Sequence, residues 1–282
     1  MPLTPLPDLM LEPLVRNALA EDLGRAGDIT TNAVVPQHFN WHAALVARQP
    51  GIVAGLDLAR LAFRLLDPAV AFEVQIADGH AVKLGGTIAT IKGPARPILT
   101  GERTALNFLS HLSGIATATH ALVEAAKPHH ARIACTRKTT PGLRLVEKYA
   151  VRAGGGFNHR FGLDDAVLVK DNHLALTGGV RPAVARLRET LGHLVKIEVE
   201  VDSLQQLAEL VDLHIDAVLL DNMDPPTLKK AVDLVARRFV TEASGRVTAQ
   251  NIAEIAKTGV DIISAGWITH SAPILDIGLD PA

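Results

Sequence analysis

From residue 132 onward the chain repeats one unit: a short apolar run, a polar or small residue at its end, then a helical segment. The runs are RIACT (132–136), AVLVK (166–170), VKIEVEV (195–201), AVLLD (217–221), RFVTEAS (238–244) and DIISAG (261–266). Strands that are apolar almost throughout bury both faces, and their alternation with helices predicts a parallel sheet with helices packed outside it. Local chemistry marks the helix starts. Thr140 reads as an N-cap before Pro141 at the first helical position, Ser203 and Gln206 as a capping box, and Asp224-Pro225 and Thr248 as the next two openings. Six strands are fewer than the eight of a standard barrel, and GGGFNHR (154–160) stands where a further unit is expected. The expectation is an incomplete, distorted α/β barrel.

The first part of the chain has another texture. Residues 8–23 predict an amphipathic helix, with Leu11, Leu14, Val15, Ala18 and Leu19 at helical spacing. Between 41 and 99, WHAALVAR, FEVQIAD and TIATIKG read as short strands separated by Pro50-Gly51, Asp78-Gly79 and Gly85-Gly86. The order DGHAVKLGGTIATIKG is similar to small β modules that carry biotin or lipoyl groups, but Lys83 and Lys92 read as ordinary surface lysines. This half is a small α/β domain. Residues 101–126 predict a long helix with Ala105, Leu106, Leu109, Leu112 and Ala116 on one side.

Composition narrows the function classes. The net charge is -2 over 282 residues, which leaves no broad basic surface for nucleic acid. No apolar run reaches the roughly 20 residues of a membrane span, and the first residues do not read as a secretory signal. The single cysteine, Cys135, excludes an intramolecular disulfide and a multi-thiolate zinc cage. It fits a cytoplasmic protein and reads as buried and inert. Against that nearly neutral background, residues 136–173 concentrate Arg137, Lys138, Arg144, Lys148, Arg152, His159, Arg160, Lys170 and His173. A local cationic cluster set among glycines and apolar runs points to a pocket for an anion.

In a βα barrel, function collects at the carboxyl ends of the strands. Read in order, those ends are Arg137 and Lys138, then Lys170, Glu198 and Glu200, Asp221, Ser244-Gly245 and Gly266. The first are cationic, the middle anionic and the last small. Arg137, His159 and Arg160 offer donors suited to carboxylates. Glu200 and Asp221, on neighbouring strands, suit Mg2+, which takes few protein oxygens and completes its shell with substrate and water. One of them could instead only pair with Lys170 or Lys138. Glu198 and Glu200 share a face of their strand, so both point inward and need cationic partners, while Val199 and Val201 face the helices. Ser244, Gly245, Arg246 and Gly266 come from the last two strands, where backbone N–H groups commonly hold a phosphate. His270 belongs either to that site or to the scaffold.

The segments TRKTTPGLR, GGGFNHR and VKDNH, together with EDLGRAGDITT near the start, resemble the signature segments of the quinolinate phosphoribosyltransferases. The resemblance covers nearly the whole chain. It implies an N-terminal α/β sandwich domain, residues 1–113 joined by 268–282, and a partial α/β barrel over 114–267. It implies Mg2+-dependent transfer of phosphoribosyl from 5-phosphoribosyl-1-pyrophosphate to quinolinate, with loss of CO2 and pyrophosphate, giving nicotinate mononucleotide. Arg137, Lys138, His159, Arg160 and Lys170 would hold quinolinate and neighbouring phosphates, and Lys138, Lys170, Glu200 and Asp221 would carry the chemistry. Glu200 and Asp221 would serve the metal, and Ser244, Gly245, Arg246 and Gly266 the 5-phosphate. Arg103 would reach across the interface of a homodimer with shared sites, which could assemble further.

The chain departs from that pattern in three places: Cys135 stands where Asp is expected, SGR replaces SGG or SGN, and Trp267 replaces a smaller residue. Other readings stay open at this point. They are a related phosphoribosyltransferase acting on nicotinate or another small base, a non-catalytic anion-binding barrel, and a Schiff-base aldolase, which would need one desolvated lysine.

Overall fold

The computed structural model describes residues 3–282. In chain order its helices are α1 (Asp8–Leu23), α2 (Ile29–Val34), α3 (Leu56–Arg64), α4 (Ala95–Ala126), α5 (Arg144–Ala153), α6 (Asp171–Thr177), α7 (Val180–Thr190), α8 (Leu204–Leu210), α9 (Pro225–Val235), α10 (Ile252–Lys257) and α11 (Trp267–His270). Its strands are β1 (Asn40–Ala47), β2 (Gly51–Ile52), β3 (Ala71–Val74), β4 (Ala81–Val82), β5 (Thr87–Pro94), β6 (Arg132–Ala134), β7 (Val167–Val169), β8 (Ile197–Val201), β9 (Ala217–Asp221), β10 (Val240–Ser244), β11 (Ile262–Ser264) and β12 (Ile277–Pro281). Two compact units result. The first holds residues up to His120, Thr140–Gly155 and Ser271–Ala282, and the second holds Ala121–Thr139 and Gly156–His270.

The first unit is built on a four-stranded antiparallel sheet in the order β12-β1-β5-β3, with a separate β2-β4 pair. The last strand of the chain is therefore an edge strand of the first unit. Helix α1 follows the expected span and buries Leu11, Val15 and Leu19. Helix α3 departs from the strand-and-turn reading of 41–99. Its apolar positions Leu58, Leu61 and Ala62 repeat at helical spacing and are buried.

Helix α3 starts at Gly55 in the left-handed region, with no cap from its own flank. The carboxylate of Asp78 supplies that cap from elsewhere in the unit, accepting from Gly55 N at 3.1 Å, Leu56 N at 3.3 Å and the Tyr149 hydroxyl at 2.8 Å. Burial raises the Asp78 pKa against the opposing pull of these bonds. Asp78→Ala leaves three donors without an acceptor and is expected to destabilise the protein by about 3 kcal/mol, which a urea unfolding curve would read directly.

The second unit holds a six-stranded, all-parallel sheet in the order β6-β11-β10-β9-β8-β7. The GGGFNHR segment accounts for the expected further unit. Phe157 makes a parallel bridge with Ala134, donating to Ile133 O at 2.7 Å and accepting from Cys135 N at 3.1 Å, so it extends the sheet beside β6 without a strand of its own. Among the described residues β6 and β7 do not pair with each other, so the barrel is incomplete. Cys135 is buried, with Sγ donating to Asn158 Oδ1 at 3.4 Å.

Two helix starts are corrected. Thr140-Pro141 opens a turn closed by Leu143 N to Thr140 O at 3.0 Å, and α5 begins only at Arg144. The Thr140 N–H is accepted by the buried Glu147 carboxylate at 3.1 Å. Thr248 likewise opens a turn, exchanging bonds with Asn251, and α10 begins at Ile252. Ser203 and Asp224 cap α8 and α9 as expected, accepting from Gln206 N and Thr227 N.

Candidate active site

Alternation along the parallel strands sends every second residue to one face of the sheet. On β8, Val199 and Val201 are buried among the helices, and Glu198 and Glu200 take the opposite face. Leu168 and Lys170 (β7 and the residue after it), Leu219 and Asp221 (β9), Glu242 and Ser244 (β10) and Ser264 (β11) line one cavity of about 450 Å³ with Glu200. The turns after β6 and around 159 add Thr136, Arg137, Lys138, His159 and Arg160, and the turns after β9 and β10 add Asn222, Gly245 and Arg246. The carboxyl edge of the sheet therefore gathers in one place most of the residues picked out from the sequence.

Each half-buried inward glutamate meets a basic side chain. Glu200 Oε2 accepts from Lys170 Nζ at 2.7 Å, and Glu198 Oε2 lies 3.0 Å from His159 Nε2. Glu200 is thus paired with Lys170, one of the two alternatives the sequence left open for the acidic pair. The VKDNH segment sets Lys170 in place: His173 Nδ1 accepts the Lys170 backbone N–H at 2.9 Å and closes the first turn of α6. Arg160 donates to Ala166 O at 2.7 Å. Its pKa is lowered by burial first and by Arg137 second, against the pull of Glu198 and Asp165. An anion bound beside Arg160 would relieve the repulsion it feels from Arg137.

Lys138 is exposed, and Lys170 is 48% exposed and ion-paired. Neither is the desolvated lysine that a Schiff-base aldolase needs.

The small-residue end has its own geometry. Gly245 sits at φ 95, and a Cβ there would collide with Asn222 Oδ1 and come within 3.0 Å of Asn222 N. Only glycine fits this approach. Arg246 follows at φ 50 in the left-handed region, which glycine and asparagine adopt at lower cost than arginine. The Arg246 carbonyl is held by Asn251 Nδ2 at 2.9 Å, and Trp267 Nε1 donates to Val247 O at 2.9 Å. The unexpected Trp267 is a clamp on the loop that contains the unexpected arginine. The helices after these loops are short, six residues in α10 and four in α11.

Gly266 does not line the cavity; a Cβ on it would lie 3.0 Å from Lys138 Cδ and 3.6 Å from His270 Nε2. Arg103 lies exposed on α4 in the first unit, while every residue lining this cavity comes from the second.

Six lining residues were not picked out from the sequence: Thr136, Leu168, Leu219, Asn222, Glu242 and Ser264. Asn222 has φ 55, donates from Nδ2 to Asp221 Oδ2 at 2.6 Å and packs on Gly245. Glu242 and Ser264 are buried on the inner face. The spacing-of-two rule that pairs Glu198 with Glu200 also pairs Glu242 with Ser244, so the signal for Glu242 was present.

Fold and site together define a parallel α/β protein with a cavity of mixed charge at the carboxyl edge of its sheet, cationic on one side and glycine-bearing on the other. Comparison with known proteins names the family. Residues 28–113 match the N-terminal domain of quinolinate phosphoribosyl transferase and residues 115–280 its C-terminal domain. A probable nicotinate-nucleotide pyrophosphorylase [carboxylating] of Synechocystis is 44% identical, covering 99% of this chain and 95% of that one. One from Bacillus subtilis is 42% identical, covering 96% and 93%. The solved nicotinate-nucleotide pyrophosphorylase from Francisella tularensis superposes with a TM-score of 0.95 at 38% identity, covering 100% of this chain and 99% of that one. The chain belongs to the quinolinate phosphoribosyltransferase family, a family of pentosyltransferases. Among the described residues no helix is long and apolar enough to cross a membrane.

Proposed function

We propose that this chain catalyses Mg2+-dependent transfer of phosphoribosyl from 5-phosphoribosyl-1-pyrophosphate to quinolinate with decarboxylation, as a homodimer with shared sites. The observation that carries this reading is the meeting of Arg137, Lys138, His159, Arg160 and Lys170 in one cavity of a chain from this family. Arg137, His159 and Arg160 would bind the two carboxylates. The pyridine nitrogen attacks the anomeric carbon, the bond to pyrophosphate breaks, and the oxygen keeps the electron pair. Lys138 and Lys170 would stabilise the departing charge. When CO2 departs, the electron pair of the broken bond stays on the adjacent ring carbon, where the positive charge of the ring nitrogen, now quaternary, stabilises it until that carbon takes a proton.

Glu200 and Asp221 fit a metal that shares its shell with substrate. They lie near the carboxyl ends of the neighbouring strands β8 and β9, and among the described residues they form no closed cage with a third His, Cys or carboxylate. Mg2+ bound there would neutralise developing charge on pyrophosphate. Ser244, Gly245, Arg246 and the backbone near Gly266 would take the 5-phosphate, and Arg103 would complete the diacid site of the partner.

The test is incubation with quinolinate, phosphoribosyl pyrophosphate and Mg2+, following CO2 and nicotinate mononucleotide. Nicotinate lacks the second carboxylate and leaves part of the cationic set unpaired. Quinolinate is expected to exceed it in kcat/KM by about 10²-fold or more, the scale on which buried polar groups reject an analogue that cannot pair with them. Equal values for the two bases would sink the assignment of the diacid site.

A further inference from the structure

The two lysines of the cavity are held in different ways. Lys170 Nζ is tied to Glu200 at 2.7 Å, whereas Lys138 is exposed and forms no ion pair among the described residues. A lysine stem is long and flexible, so an unpaired ammonium stands only where backbone and stem direct it. Lys138 is the middle residue of a turn closed by Thr139 N to Arg137 O at 3.0 Å. Two threonine hydroxyls hold both polar groups of its backbone. Thr136 Oγ1 accepts its N–H at 3.0 Å, and Thr269 Oγ1 donates to its carbonyl at 2.8 Å. A Cβ on Gly266 would lie 3.0 Å from Lys138 Cδ, so the stem runs along bare backbone there.

Sheet order brings these groups together. Strand β6 pairs with β11, and Ala265 N donates to Ala134 O at 3.0 Å, so the turns after the two strands leave the sheet side by side. Thr269 lies in α11, which follows β11 directly, and is 1% exposed. Its hydroxyl also lies 3.0 Å from Gly266 O, the local acceptor that a helical threonine ordinarily takes, but that carbonyl already accepts Thr269 N at 3.2 Å. The shorter bond spans 131 positions to reach Lys138. From the same four-residue helix Trp267 Nε1 holds Val247 O, so α11 ties the lysine turn to the loop of Gly245 and Arg246.

We propose that Thr269 is a positioning residue which, by holding the Lys138 carbonyl, fixes the Lys138 ammonium in the cavity for the departing pyrophosphate. This rests on the role given to Lys138 above. Without the hydroxyl, Thr136 alone secures the backbone of Lys138, and the stem is free to leave Gly266. A cation stabilises developing charge best when it already stands where that charge appears. A turn that drifts therefore costs rate without removing any group that touches substrate.

The experiment is a double-mutant cycle on the full chain: wild type, Thr269→Val, Lys138→Ala and the two together. Each protein is titrated calorimetrically with inorganic pyrophosphate at one fixed Mg2+ concentration, and kcat and both KM values are measured. Thr269→Val is expected to weaken pyrophosphate binding about fivefold, the scale on which groups in contact couple. It is expected to lower kcat by about ten- to a hundredfold, while KM for quinolinate keeps its wild-type value. In the Lys138→Ala background the same replacement is expected to change neither pyrophosphate binding nor kcat. Thr269→Ser, which keeps the hydroxyl, is expected to behave as wild type.

Equal fold losses in the two backgrounds would overturn the proposal, as would wild-type behaviour of a folded Thr269→Val. If Thr269→Val does not fold, Thr269→Ala runs the same cycle. Loss of folding in both would also overturn it, by making the hydroxyl a bond of the scaffold alone. Failure of the underlying reading shows in a single variant: Lys138→Ala would then bind pyrophosphate as the wild type does.

Discussion

Two inactive chains, one carrying Arg103→Ala and the other Lys138→Ala, are expected to regain activity when mixed into hybrid dimers. Each replacement alone removes a cation from the proposed site and should lower kcat/KM by about 10²- to 10³-fold, the usual scale for one contact to transition-state charge. Arg103 is exposed on α4 of the first unit, whereas Lys138 lines a cavity built wholly from the second. If Arg103 acts on the partner's site, a hybrid dimer has one site with both defects and one intact site. Each hybrid then recovers up to about half of the wild-type activity, as two-fold symmetry requires. If Arg103 acts within its own chain, every site carries a defect and nothing returns. Native mass spectrometry establishes that hybrids have formed. Confirmed hybrids without recovered activity would refute a shared site.

Asp221→Asn is the second large effect. The substitution keeps shape and one oxygen acceptor, so the 2.6 Å bond from Asn222 Nδ2 can persist and the melting temperature should change little. What is lost is the charge. With Glu200 already paired to Lys170 at 2.7 Å, Asp221 is the carboxylate of the two that forms no ion pair among the described residues. A fall in kcat of about 10²- to 10³-fold is expected, with a higher Mg2+ concentration needed for half-maximal rate. Titration of activity with Mg2+, and its removal by chelator, reads both. Full activity of the wild type in excess chelator would rule out the metal assignment.

Patterns of short range were legible without coordinates. Residues 8–23 form α1 because their apolar positions recur at helical spacing, and the same holds for the core of α4. Val199 and Val201 against Glu198 and Glu200 followed from strand alternation alone. The caps at Ser203 and Asp224 are local chemistry, complete within four residues. Thr140-Pro141 looked equally good and was overruled. The chain turns between Thr140 and Leu143, and α5 begins only at Arg144, with the Thr140 N–H held by the Glu147 carboxylate seven residues on. Helix α3 was missed for a related reason, since its N-terminal cap is Asp78, more than twenty residues downstream.

The sequence by itself determined the alternation of strand and helix, the identity of the strand-end residues and the family resemblance, because each depends on residue type and near-neighbour spacing. Only the tertiary structure decided which charges meet. Lys170 pairs with Glu200 across 30 positions and His159 with Glu198 across 39, and sheet order, not spacing, brings them together. Arg246 occurs in place of glycine in a left-handed turn, and Trp267 ties that turn down from twenty residues away. Glu242 was visible as a letter in RFVTEAS. Its burial, and the neighbouring Glu198 carboxylate, raise its pKa, and both follow from strand order, which no local pattern encodes.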